Sequence, residues 1–166
     1  GQVVVAKIES YPENHRPAVA KITEILGNYA DSGMEIEIAL RKHKLPYEFS
    51  AGCLHAAEKI PDTVRAADRK NRVDLRDLPL VTIDGETSRD FDDAVYAEKI
   101  GRNYRLVVAI ADVSHYVRPD DAIDADAKER ATSVYFPRRV IPMLPEALSN
   151  GICSLNPNVE RLCMVC

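Results

Sequence analysis

The alternation of short apolar runs with helix-favouring stretches predicts a mixed α/β (α+β) protein. Three observations carry that reading. β-rich runs recur at 2–8, 18–26, 80–83, 94–97 and 104–111, bounded by turn-forming residues. Segments with helix-start signals lie among them at 34–43, 51–59, 63–70 and 120–130. The 10 prolines of the chain keep these elements short, since a proline inside a helix removes a hydrogen bond and clashes with the preceding turn.

Taken in order, the runs 2–8 and 18–26 are joined by a loop from Tyr11 to Pro17 and predict a hairpin. Two strands cannot make an independent domain, so this pair either packs as an edge hairpin on the next domain or belongs to a larger sheet. No aromatic platform for stacking bases is visible here beyond Tyr11. Residues 27–33 read as a linker, with Asp31 or Ser32 offering an N-cap for a helix from Met34 to His43. The Met-Glu-Ile-Glu-Ile start of that segment also fits a strand, and Pro46 ends it. Residues 51–59 and 63–70 predict two short helices split by Ile60-Pro61-Asp62. Charges alternate in sign from Asp62 to Asp77, as on a solvated face. His43 and His55 lack thiol or carboxylate partners at ligand spacing and read as surface histidines.

The stretch Ile83-Asp-Gly-Glu-Thr-Ser-Arg-Asp-Phe-Asp-Asp93 holds four carboxylates, Asp84, Asp90, Asp92 and Asp93, between two apolar runs. Acids at strand ends and on the connecting loop can be aimed at one point. Gathered there they repel, a like-charge pair near 4 Å costing about 4 kcal/mol at an effective dielectric near 20. All-oxygen ligands without His or Cys suit a hard cation, Mg²⁺ or Mn²⁺, rather than zinc. Pairs of such ions are a common device for displacement at phosphorus. The plain alternative is a solvated acidic turn, because Asp-Gly followed by Thr and Ser is ordinary turn chemistry. An EF-hand loop is excluded by its missing Gly and closing Glu. Residues alone leave the metal site and the turn both open.

Beyond the acids, 93–97 and 104–111 predict a hairpin closed around Gly101-Arg102-Asn103. The near-continuous apolar run 106–111 predicts a strand buried on both faces. Asp112 reads as a cap rather than a metal ligand, and His115 as a hydrogen-bonded structural residue rather than a general base. Pro119-Asp120-Asp121 starts a helix ending near Arg130, and Thr132 to Phe136 is strand-like. Three prolines in 137–145 force an extended path, and Leu148-Ser149-Asn150-Gly151 reads as a helical turn. Arg138 and Arg139 form an exposed basic pair that could meet phosphates.

Composition bounds the function. With 166 residues and 46% hydrophobic content the chain can form one medium or two small domains. No apolar run approaches the ~20 residues of a membrane helix, so a soluble cytoplasmic protein without a membrane partner is expected. A net charge of −4 and a pI near 5.6 argue against a self-sufficient nucleic-acid binder, which needs clustered Lys and Arg. Cysteines at 53, 153, 163 and 166 fit reduced thiols rather than a disulfide framework, and Cys163-x-x-Cys166 reads as buried strand rather than half a metal site. Gly1 stands where an initiator Met would, and the chain stops inside the apolar run 162–166. Both ends read as cut.

The spacing Asp84-x5-Asp90-x-Asp92-Asp93, preceded by Asp74-Leu-Arg-Asp-Leu-Pro-Leu80 and followed by Ala109-Ile-Ala-Asp-Val-Ser-His-Tyr-Val117, resembles the RNB catalytic domain of the ribonuclease II family. The resemblance continues through Thr132-Ser-Val-Tyr-Phe-Pro137, Val140-Ile-Pro-Met-Leu-Pro145, Leu148-Ser-Asn-Gly151 and Cys153-Ser-Leu-Asn-Pro157. It implies a processive, Mg²⁺-dependent 3′→5′ exoribonuclease, with Mn²⁺ as a possible substitute, that takes the 3′ end of single-stranded RNA and releases nucleoside 5′-monophosphates. It further implies a monomeric full-length enzyme of which this chain is a fragment. On that reading residues 1–27 are the last strands of an OB-type cold-shock domain, 28–71 a helical linker region, and 72–166 the first part of the RNB domain. Asp84 and Asp93 would hold one ion, Asp90 and Asp92 would face a second, and Tyr135 would pack against nucleotides near the RNA 3′ end. The rival readings are another Asp-x-Asp metal-dependent transferase, an RNA-binding or scaffold fragment without catalysis, and, for Tyr135, a core aromatic.

Overall fold

The computed structural model describes residues 1–166. Its strands are β1 (Gln2–Ser10), β2 (Val19–Asn28), β3 (Asp93–Ile100), β4 (Asn103–Ala111), β5 (Val134–Phe136), β6 (Arg139–Ile141) and β7 (Cys163–Val165). The helices are α1 (Met34–Lys42), α2 (Ala51–Ala57), α3 (Val113–Tyr116) and α4 (Ala122–Arg130), with a 3₁₀ turn at Ala66–Arg69 and a π-helical turn at Ala147–Ile152. The protein is therefore a mixed α+β structure. It divides into two units, residues 1–47 with 136–139, and residues 48–135 with 140–166.

In the first unit β1 and β2 pair antiparallel from Gln2·Asn28 to Ser10·Val19, with register shifts at three places along β1. Each shift adds local twist. Ile8, Val19, Ile22 and Ile25 remain exposed on the hairpin, as expected of two strands with no second layer of their own. In α1 the helix prevails over the strand alternative, and Met34, Ile36 and Leu40 are buried along it. Glu35 and Glu37 in its first turn and Arg41 and Lys42 in its last complement the helix dipole. Its start differs from expectation. Gly33 occupies the N-cap position at φ 85°, with no side-chain cap, and the Asp31 carboxylate instead accepts from the Asn28 amide at 2.7 Å. Arg41 binds both Glu24 and Glu37, and Arg139 reaches Glu37 at 2.6 Å.

The second unit is built around a three-stranded antiparallel sheet in the order β3-β4-β7. β3 and β4 stay in register from Asp93·Ile110 to Ile100·Asn103. The two-residue turn between them needs a positive φ at its first position, which Gly101 supplies at 61°. The core packs Cys53 and Ala57 of α2, Ile123 of α4, Ala111 of β4, and Val64, Leu144, Leu148, Ile152, Cys153 and Leu162 together. Helix α2 is capped by Ser50, whose hydroxyl accepts from the Cys53 amide at 3.1 Å. The same serine donates its amide and hydroxyl to Asp126 of α4, both at 2.8 Å. One residue thus ends a helix and ties it to its neighbour.

Several expectations change here. Residues 63–70 form only the one 3₁₀ turn, and 80–83 form a single bridge, Val81·Val95, rather than a strand. Strand β4 is buried on one face only: Val107, Ala109 and Ala111 are covered, whereas Leu106 is 61% and Ile110 43% exposed. An unbroken apolar run says nothing about whether both faces meet a second layer. Cys163 is only partly buried and Cys166 is exposed. The alternating charges after Asp62 are not merely solvated. Arg69 pairs with Glu160 at 2.6 Å, Arg76 with Asp74 and Glu160, and Arg72 with buried Asp112 at 2.6 Å. Glu160 and Asp112 lie far along the sequence, beyond the reach of local pattern. No helix is long and apolar enough to cross a membrane.

Candidate active site

The acidic loop is placed by backbone pairing at both of its ends. Val81 and Val95 exchange two hydrogen bonds, 3.0 and 2.8 Å. In an antiparallel register the chain leaving Val81 towards Asp84 runs alongside the chain leading back from Val95 to Asp92. Asp84 is thereby directed to the N-terminal end of β3, where the other three acids lie. The Ala111 amide donates to Asp92 O at 2.8 Å and the Leu155 amide to Phe91 O at 2.8 Å. Between these, Ser154 donates its hydroxyl to Arg89 O at 2.7 Å and accepts from the Phe91 amide at 3.0 Å. The backbone on either side of Asp90 is fixed by strands and by one buried serine.

Alternation along β3 separates the neighbouring acids. Asp92 falls on the side of Ala94, which is buried, and Asp93 on the opposite side with Val95. The carboxyl of Asp92 is raised above the ordinary aspartate value, first by burial and then by the charges of Asp90, Asp93 and Asp84. The other three acids therefore all lie near enough to act on Asp92 electrostatically. None of them takes part in a salt bridge with Lys or Arg, and Asp90 alone has a side-chain partner, the hydroxyl of Tyr135, which donates at 2.5 Å. An oxygen-only donor set carrying uncompensated negative charge fits a hard divalent cation in chemistry. In geometry the four stop short of it, since no three His, Cys, Asp or Glu side chains come together as metal ligands do.

Tyr135 itself is 63% exposed, so it is not a core aromatic. The bond to Asp90 is the main cause that raises its phenol pKa. Asp112 does not cap α3 with its side chain. It accepts from Arg72 at 2.6 Å and from Ser114 at 2.7 Å. His115 sits beside that pair, with Nδ1 3.4 Å from Arg72 and Nε2 3.2 Å from Asp68, a structural placement as expected. Ser154 was not singled out by sequence reasoning. Its one signal was a small polar residue inside the apolar stretch 152–155.

Residues 72–166 match the RNB domain family model. The chain belongs to the RNB domain family. Residues 1–50 also match the cold-shock domain model. Ribonuclease R of Acidithiobacillus ferrooxidans is 54% identical over 166 residues, covering 100% of this chain and 38% of that protein. Among solved structures, Mycoplasma genitalium RNase R in complex with double-stranded RNA is 35% identical with a TM-score of 0.92, covering 99% of this chain and 29% of that one. The same Mycoplasma protein in complex with ribose methylated single-stranded RNA is 35% identical with a TM-score of 0.90, covering 99% and 26%. This RNB chain thus spans well under half the length of the relatives it matches.

Proposed function

We propose that the chain carries the metal-binding loop of a 3′→5′ exoribonuclease that hydrolyses single-stranded RNA to nucleoside 5′-monophosphates. The observation that supports it most is the uncompensated group of Asp84, Asp90, Asp92 and Asp93 at the start of β3, inside an RNB match. Residues 1–27 would be closing strands of a cold-shock barrel, 28–71 a connecting region, and 72–166 the first part of the catalytic domain.

The four acids would hold Mg²⁺, or Mn²⁺ in its place. Such an ion, when bound, lowers the pKa of water and offsets the charge of a phosphate. The protein's own part is positioning. Hydrogen bonds from Ala111, Ser154 and Leu155 fix the loop backbone, and the exposed Tyr135 ring offers a base a stacking surface beside Asp90. Because Tyr135 donates to Asp90, binding of a cation at Asp90 competes with that bond. Chain-terminal RNA labelled at its 3′ end tests the reading in the longer enzyme: mononucleotides released stepwise from that end support it, and internal cleavage or none overturns it. A second reading, an RNA-binding or scaffold segment without catalysis, is favoured by the failure of any three acids to meet in ligand geometry. It predicts no Mg²⁺ or Mn²⁺ affinity by calorimetry.

A further inference from the structure

Ser154 is fully buried, at 0% exposure, and its hydroxyl is spent entirely on the acidic loop. It gives its proton to Arg89 O at 2.7 Å and takes the Phe91 amide at 3.0 Å. Those two backbone groups flank Asp90 and immediately precede Asp92. The serine is itself held: the Arg161 guanidinium donates to Ser154 O at 2.9 Å and to Gly151 O at 3.1 Å, and the Asn156 amide donates to Asn150 O at 3.1 Å. The next residue, Leu155, adds its own amide to Phe91 O at 2.8 Å. A side chain 63 residues away in sequence therefore closes the turn that decides where the Asp90 and Asp92 carboxylates point.

We propose that Ser154 is a positioning residue of the acidic site, a clamp that holds the 89–91 backbone and so keeps Asp90 and Asp92 beside Asp84 and Asp93, within the reach from which a bound divalent cation would draw their carboxylates together. The proposal rests on the metal reading given above. A loop of four mutually repelling carboxylates tends to splay, and the ladder alone restrains it only from Asp92 onward. Without the hydroxyl, the Phe91 amide and Arg89 carbonyl lose a partner that is itself fully buried, and the loop must shift for them to find another. Partners that orient metal ligands are commonly worth about 10–100-fold in affinity.

Two variants of the 166-residue chain separate clamping from packing. Ser154→Ala removes the hydroxyl and leaves a small void. Ser154→Cys keeps the side chain but replaces a good donor and acceptor by a weak one. Backbone amide exchange followed by NMR, and Mn²⁺ binding followed by the EPR signal of the free ion, are measured for both, with Asp92→Asn as reference. The expected result is faster exchange at Phe91 and about 10–100-fold weaker Mn²⁺ binding in both variants, with the amides of α2 and α4 as protected as in the wild type. Unchanged Phe91 exchange in Ser154→Cys would overturn the clamp. Faster Phe91 exchange with unchanged Mn²⁺ affinity would overturn its role in the site. Wild-type chain that binds Mn²⁺ no better than Asp92→Asn would instead overturn the metal reading itself, whatever Ser154 does to the backbone.

Discussion

At the scale of single residues, Asp92 and Tyr135 make separable predictions. Asp92 is the acid on which burial and three neighbouring charges act together, so removing its charge removes much of the reason for a cation to bind. If the proposed function holds, Asp92→Asn in a longer enzyme carrying this chain is expected to abolish hydrolysis while RNA binding, which would rest on other contacts, stays near wild type; turnover above a few per cent of the wild-type kcat would refute the role. The Tyr135 ring is exposed and its hydroxyl donates to Asp90. Tyr135→Ala should cost about 1–3 kcal/mol of base stacking and lengthen the last undegraded oligonucleotide, with Tm nearly unchanged because no core contact is lost. Tyr135→Phe keeps the ring and should keep the short end product. A Phe variant as defective as Ala would show that the hydroxyl, not the stacking face, is what matters.

Among the elements, the segment after α2 is held by ion pairs rather than by helix formation. Arg65 binds Asp68 at 2.8 Å, His115 approaches Asp68 at 3.2 Å, and Arg72 binds Asp112 at 2.6 Å. For Asp112 burial pushes the carboxyl up, but the bonds from Arg72 and Ser114 outweigh it and leave the pKa below its ordinary value. Arg65 holds Asp68 well below the usual carboxylate range. Groups whose pKa is depressed on folding contribute stability that is complete above the unfolded value, about 3.9, and is lost as pH falls through the folded one. Arg72→Met should therefore cost about 1.5–3 kcal/mol at neutral pH, the usual scale for a hydrogen bond to a charge, and the deficit should shrink as pH falls from about 4 through the depressed pKa of Asp112, where the wild-type carboxyl also takes up its proton. Urea denaturation at pH 7 and pH 3 checks the sign. A deficit that is larger at pH 3 would show that Arg72 acts through something other than Asp112.

For the whole molecule, the question is what 166 residues with net charge −4 can do unaided. Four carboxylates can neutralise a cation, but the charge developing on a phosphorane also needs positive or hydrogen-bonding groups, each commonly worth about 10²–10³ in rate. None of the four acids has a Lys or Arg partner, and Arg72, Arg76 and Arg139 are committed to carboxylates. The chain alone is expected to show no significant exonuclease activity. Steady AMP release from labelled poly(A) with Mn²⁺, lost in Asp92→Asn, would prove that wrong. The open face of the β3-β4-β7 sheet exposes Leu106, Ile110 and, opposite Ile110, Met164 at 58%. A contiguous apolar patch of this kind drives association, so the chain should self-associate in sedimentation velocity runs and Ile110→Lys should return it towards a monomer.

Local pattern was enough to place β1, β2, β3, β4, α1, α2 and α4 within a few residues of where they lie, because side-chain periodicity, caps and prolines act over one turn or one strand. Asp84, Asp90, Asp92 and Asp93 stood out as candidates from their spacing and residue type, but the residues alone left a metal site and a solvated turn both open. Where pattern failed, the deciding interaction was remote. Residues 80–83 are a bridge because only Val95 pairs with Val81, β4 has one open face because the core covers only the other, and the charges after Asp62 are fixed by Asp112 and Glu160. The path of the acidic loop was decided the same way, by Ala111 from the next strand and by Ser154 from a segment more than sixty residues on. Sequence records which groups carry charge and which repeat along an element. Which distant backbone amide each one meets is set by how the sheet, α2, α4 and the π-turn close around a shared core, since the burial of those apolar residues brings remote segments into hydrogen-bonding range.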